Sequence, residues 1–129
     1  MIHLDTSVLV DALTGPRRSG HALRAAIAAG ERVSFCTLVL YEWLRGPRHD
    51  AERHAQEQLF PRDQVAPFGP VEGALAARLY TCVKRSRGRE IDLAIAACAI
   101  ASGASLWTLN PEDFRDVPGV TLYEPPVRA

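Results

Sequence analysis

The sequence predicts an α/β fold in which a short parallel sheet is covered on both faces by helices. Three observations carry this expectation. Apolar runs of strand length alternate with helical stretches along the chain, the pattern of βα units rather than of hairpins. Glycine and proline punctuate most of the boundaries between them. No internal repeat, low-complexity tract or long linker divides the 129 residues, which therefore read as one domain, 1–129. A chain of that length buries roughly two-thirds of the surface it exposes when unfolded, so it needs no covalent staple.

The elements follow in order. Residues 2–4 form a first buried strand, and 7–13 a helix ended near Gly15-Pro16. Residues 18–29 are alanine-rich and helical, closed by Gly30, and 33–36 form a second short strand. Residues 38–45 are a helix stopped by Gly46-Pro47, and 49–59, with mixed charge, an exposed helix ended by Pro61. Residues 64–67 read as a strand. A long helix then runs from Pro70, an allowed first helical position, to Arg85, and Gly88 breaks it. Residues 91–101 are an apolar helix ended by Ser102-Gly103, 105–108 a strand, 110–114 a turn, and 120–123 a last strand before Pro125-Pro126. Crossovers between parallel strands are right-handed, and ligand sites in such sheets lie beyond the carboxyl ends of the strands.

Composition narrows the function classes. A hydrophobic fraction of 47% and a charged fraction of 23% are those of an ordinary globular protein. No apolar run approaches the roughly 20 residues of a membrane helix. The start, Met1-Ile2-His3-Leu4-Asp5, has no basic region of a secretory signal. A cytoplasmic protein without membrane contact is the expectation. Cys36, Cys82 and Cys98 form no Cys-x-x-Cys pair and read as buried reduced thiols, and the four histidines have no zinc-site spacing. The net charge of zero argues mildly against tight non-specific nucleic-acid binding. It still leaves a local basic run, Arg78, Lys84, Arg85, Arg87 and Arg89, with no acid among them. Such a run is either a solvated helix end or a phosphate contact.

The most informative feature is where acids are scarce. Asp5 is the only charged side chain in residues 1–10 other than His3, Glu42 the only one in 33–44, and Asp92 the only one in 91–106. These segments are among the most apolar in the chain. A carboxylate is costly to bury unless it is paired, protonated or bound to a metal. Each has a structural alternative. Asp5 can cap the helix after it, Asp92 can favour the helix dipole from the first turn, and Glu42 can sit on an exposed helix edge. Together with Asp113, which follows the strand at 105–108, they are placed by strand–helix alternation toward one end of the sheet. Several carboxylates in one cleft need a cation, and an oxygen-only set with open water positions suits Mg²⁺ or Mn²⁺.

These segments carry a family resemblance. Ile2-His3-Leu4-Asp5-Thr6-Ser7-Val8-Leu9-Val10 resembles the opening of PIN domains, and Tyr41-Glu42-Trp43-Leu44-Arg45-Gly46 their acid-bearing third helix. Ile91-Asp92-Leu93-Ala94-Ile95-Ala96-Ala97 resembles the third acidic motif, and 103–114 the last strand and fourth motif. Order, spacing and length are similar to the VapC-type toxins of toxin–antitoxin pairs. The resemblance implies a three-layer α/β/α PIN-like fold and an Mg²⁺-dependent endoribonuclease, with Mn²⁺ a substitute. It also implies the toxin role of a type II pair, a cognate antitoxin and a homodimer.

Carried over, Asp5 and Asp92 are direct metal ligands, Glu42 joins them directly or through water, and Thr6 orients Asp5 or a metal-bound water. The fourth position lies between Asp113 and Asn110. The implied reaction is hydrolysis of an RNA phosphodiester by metal-activated water, with Arg45, Arg48, Arg85, Arg87 and Arg89 as candidate RNA contacts. The competing reading is a non-catalytic RNA- or antitoxin-binding protein on the same fold. Tyr41 and Trp43 read as core packing, or as the lining of a groove for a partner helix.

Overall fold

A computed structural model describes residues 1–126. Its elements are β1 (Ile2–Leu4), α1 (Thr6–Leu13), α2 (Gly20–Ala28), β2 (Val33–Ser34), α3 (Thr37–Arg45) and α4 (Asp50–Leu59), then α5 (Pro70–Cys82), α6 (Glu90–Ala101) and β3 (Ser105–Trp107). Single 3-10 turns lie at Arg62–Gln64 and Pro111–Asp113. The three strands are parallel in the order β2-β1-β3. β1 is central, with Ile2 opposite Val33 and Ser105, and Leu4 opposite Trp107. All three β1 residues are buried, as expected of a parallel strand covered on both faces.

The hydrophobic core joins Leu4, Val8, Leu9, Val39, Trp43, Ile95, Leu106 and Phe114. α6 is buried from Leu93 to Ala99, which explains why its apolar residues show no single stripe. Its alanines let α5 and the sheet approach closely.

Two expected strands shrink to single bridges. At 64–67 only Ala66 pairs, with Cys36. Its amide donates to the Phe35 carbonyl at 2.9 Å, but Pro67 has no N–H to continue the ladder. At 120–123 only Leu122 pairs, with Leu106, following a turn at Gly119 whose φ of 89° suits a residue without Cβ. The sheet therefore thins at both edges. α5 ends at Cys82 rather than at 85, because Val83 is extended and Arg85 has φ of 56°. The basic run 84–89 thus forms the α5–α6 connection instead of a helix end. Cys36 and Cys98 are buried as expected, whereas Cys82 is exposed at the last turn of α5.

Candidate active site

The parallel strands bring their carboxyl ends to one edge. Asp5 follows β1 directly, and its amide donates to the Trp107 carbonyl at 2.8 Å, so the end of β1 is tied to the end of β3. Asp5 stands at the N-cap position of α1, with its backbone carbonyl accepting from Val8 N at 3.1 Å. Its side chain makes no cap hydrogen bond, so capping does not explain the acid. The buried carboxylate instead accepts, through Oδ2, from Thr108 Oγ1 at 2.7 Å and Ser7 Oγ at 2.9 Å. Ser7 and Thr108 are site hydroxyls that motif reading passed over. Thr108 is fixed in turn by the Asn110 amide at 3.0 Å, and Ser7 by the Leu109 amide at 3.0 Å.

Glu42 lies in the second half of α3, partly buried, and accepts from Thr6 Oγ1 at 2.6 Å. Thr6 is the hydroxyl the sequence singled out, but its partner is Glu42 rather than Asp5. Arg45, one turn on, places Nη2 3.4 Å from Glu42 Oε2 and its guanidinium over the exposed Tyr41 ring, 5.2 Å from the centroid. Trp43 is fully buried as expected of core packing, while Tyr41 on the outward face is 57% exposed.

Asp92 stands in the first turn of α6. Its carboxyl is pushed up to about 6, first by burial and then by the charges of Asp5, Asp113 and Glu42, with a smaller opposing effect of Arg89. Among the described residues no side-chain hydrogen bond reaches it. Four acids spread from residue 5 to residue 113 therefore share one electrostatic environment. Asp113 ends the Pro111–Asp113 turn, its amide donating to the Asn110 carbonyl at 3.0 Å. Both Asn110 and Asp113 are exposed.

The candidate RNA-contacting arginines divide into two groups. Arg45, Arg85 and Arg87 are exposed. Arg48 is folded down, with its guanidinium 4.4 Å from the Trp43 ring centroid and Nε donating to the Trp43 carbonyl at 3.0 Å. Arg89 is bound to Asp116 through both terminal nitrogens, at 2.9 and 2.7 Å. Neither Arg48 nor Arg89 extends a cation into solvent.

The donor chemistry fits a hard divalent cation. It is oxygen-only, and the raised Asp92 carboxyl marks a surplus of negative charge that a cation relieves. Among the described residues no three acids form a ready-made cage. That is compatible with Mg²⁺, which keeps several waters and takes one or two carboxylates. Asp5, Asp92 and Glu42 are the residues that could hold it.

The PIN domain family matches residues 2–120. The chain belongs to the PIN-domain family. Solved structures share its fold. A DNA-bound VapBC from Salmonella typhimurium is 18% identical with a TM-score of 0.76, covering 95% of this chain and 96% of its own. VapBC2 from Rickettsia felis, bound to a promoter DNA fragment, is 21% identical with a TM-score of 0.72, covering 95% and 98%. A toxin–antitoxin complex from Klebsiella pneumoniae is 24% identical with a TM-score of 0.68, covering 96% and 99%. No curated protein matches the sequence. This PIN domain thus has the α/β/α architecture expected of it, with the parallel sheet between helical layers. None of its helices is long and apolar enough to cross a membrane, among the described residues.

Proposed function

We propose that this PIN domain is a divalent-metal-dependent endoribonuclease, the toxin of a type II toxin–antitoxin pair. The whole chain acts as a single cytoplasmic domain that dimerises and is restrained by a cognate antitoxin. Asp5, Glu42, Asp92 and Asp113 are its catalytic acids. The observation that carries the reading is the Asp92 carboxyl, raised to about 6 by burial and by the other three acids. Charges from four distant segments are gathered where strand ends converge, an arrangement with no evident benefit to folding. Family membership and the toxin–antitoxin complexes among the fold neighbours support the same reading.

The bound cation, Mg²⁺ or Mn²⁺, supplies a water of lowered pKa and charge stabilisation at the phosphoryl group. The protein's part follows from the geometry. Thr108 and Ser7 hold the Asp5 carboxylate in one orientation at the end of β1. Thr6 does the same for Glu42. Among the described residues Asp92 has no such donor, and a nearby positive charge would offset the burial and like charges that raise its carboxyl. Asp113 rather than Asn110 takes the fourth position, because its charge reaches Asp92. Asn110 instead fixes Thr108 through its backbone. Arg85 and Arg87 are exposed and available to flanking phosphates of RNA, and Arg45, exposed but paired with Glu42, would reach them by exchanging that partner.

The test is cleavage of single-stranded RNA by purified, antitoxin-free protein. Products are expected with Mg²⁺ and none in EDTA, and Asp5→Asn and Asp92→Asn are each expected to be inactive while folded. Equal cleavage in EDTA, or full activity in both variants, overturns the reading. The competing reading is a non-catalytic RNA- or antitoxin-binding protein on the same fold. Metal binding by calorimetry without RNA turnover would favour that alternative.

A further inference from the structure

The sequence offers Arg89 as a cation for RNA, but its surroundings assign it otherwise. Arg89 is the residue preceding α6, three positions before Asp92. Its guanidinium, at the surface, is engaged by the protein's own carboxylate and backbone. Nη1 donates to Asp116 Oδ2 at 2.9 Å, and Nη2 to Asp116 Oδ1 at 2.7 Å. Nη2 also donates to the Asp113 carbonyl at 2.8 Å, and Nη1 to the Lys84 carbonyl at 3.3 Å. One planar group therefore joins the α5–α6 connection, the start of α6 and the segment that carries the fourth acid.

We propose that Arg89 is a positioning residue, a clasp that fixes the Asp113 turn beside Asp92 and takes no part in holding RNA. The proposal rests on the ribonuclease reading of the site for its catalytic consequence, though not for the clasp itself. Three physical points support it. An isolated, partly exposed ion pair contributes little, but a bidentate guanidinium–carboxylate pair is directional and sets geometry. The Asp113 turn is anchored before it by the Leu109 and Asn110 amides on Ser7 and Thr108, and after it by Phe114 and Val117, which are buried in the core. Arg89 supplies a further attachment, at the backbone of Asp113 itself. Both terminal nitrogens of the fork are also committed to Asp116 and two backbone carbonyls, so neither is left to grip a phosphate in this geometry.

Asp116→Asn separates the clasp from an RNA contact. It breaks the pair while removing a negative charge, so a phosphate-binding role for Arg89 predicts an unchanged or lower KM for RNA. The clasp predicts that Arg89→Gln and Asp116→Asn each lower kcat about 10- to 100-fold, the usual effect of losing a supporting contact at a metal site. KM should stay within about twofold, and the double variant should be no worse than either single one.

Two readouts do not need activity. Amide hydrogen exchange across 111–117 should quicken in both variants, and Mn²⁺ affinity by calorimetry should fall. Arg89→Lys, which keeps the charge without the fork, should remain folded and still show the faster exchange. A raised KM in Arg89→Gln with Asp116→Asn unaffected overturns the clasp in favour of an RNA contact. Unchanged exchange across 111–117 in both folded variants overturns it outright. If the wild type cuts no RNA, the ribonuclease reading fails, and exchange and Mn²⁺ affinity still decide the clasp.

Discussion

The two halves of the acidic site are built on opposite principles. On the β1 side, Asp5 and Glu42 are each met by hydroxyls: Ser7 and Thr108 donate to Asp5, and Thr6 donates to Glu42. On the α6 side, Asp92 receives no side-chain donor among the described residues and is pushed up to about 6. Hydrogen bonds to a carboxylate favour its charged form, while burial and like charges disfavour it. The first half is thus oriented by the protein's own hydroxyls. The second half has its carboxyl raised, first by burial and then by the neighbouring acids, and a cation would offset that rise.

The sharpest way to break this comparison is to neutralise one acid from each half. Asp5→Asn and Asp92→Asn are both expected to lower RNA cleavage by at least about a hundredfold, measured as kcat/KM on one oligonucleotide. Their stabilities should move in opposite directions. In metal-free buffer, urea denaturation of Asp5→Asn should show a loss of about 1–2 kcal/mol, because charge-assisted bonds from Ser7 and Thr108 become neutral ones. Asp92→Asn should show a gain on the order of 1–2 kcal/mol once screening by water at the open cleft is allowed for. A loss in both would mean that Asp92 is no more burdened than Asp5.

Cation addition is the next effect. At about a hundred times its dissociation constant, an ion that binds only the folded state adds roughly 2.7 kcal/mol. Mg²⁺ or Mn²⁺ should therefore raise the Tm of the wild type by several degrees, and by much less in Asp92→Asn.

The pH dependence follows from the raised carboxyl. Asp92 titrates at its ordinary value, 3.8, in the unfolded chain and at about 6 in the folded one. Between these values the folded state holds the proton more tightly. The stability due to protonated Asp92 is full below about 3.8 and is lost as pH rises through about 6. In EDTA the stability advantage of Asp92→Asn over the wild type should therefore grow from pH 4 to pH 7 and level off above. The smallest effect is that of a single hydroxyl. Thr108→Val should cost about 1 kcal/mol and leave the pH dependence of the Asp92 difference in place.

Much of this was legible in the sequence. Strand and helix order follow from short apolar runs and their glycine and proline boundaries, and three solitary acids in apolar segments pointed to the candidate site. What was not legible depended on partners far along the chain. The segments at 64–67 and 120–123 have strand composition, yet each has only one pairing position, because Pro67 and the turn at Gly119 limit the ladder. Thr108 lies 103 residues from Asp5, so no local pattern could single it out. A threonine directly after a strand at the functional edge was the available signal. Arg89 read as one member of a basic run, and only the fold brings Asp116 within reach of it. Tyr41 and Trp43, two residues apart on one helix, could not be told apart as exposed and buried without knowing which face of α3 meets the core.

The central claim is that the Asp92 carboxyl is raised by burial and by the acids gathered around it, and that a bound cation reverses the rise. Carboxyl-carbon NMR titration of Asp92, in EDTA and in Mg²⁺, measures this directly. The expected result is a midpoint near 6 in EDTA, lowered in Asp5→Asn and lowered strongly by Mg²⁺. A midpoint near 3.8 in EDTA, indifferent both to Mg²⁺ and to Asp5→Asn, would contradict the account.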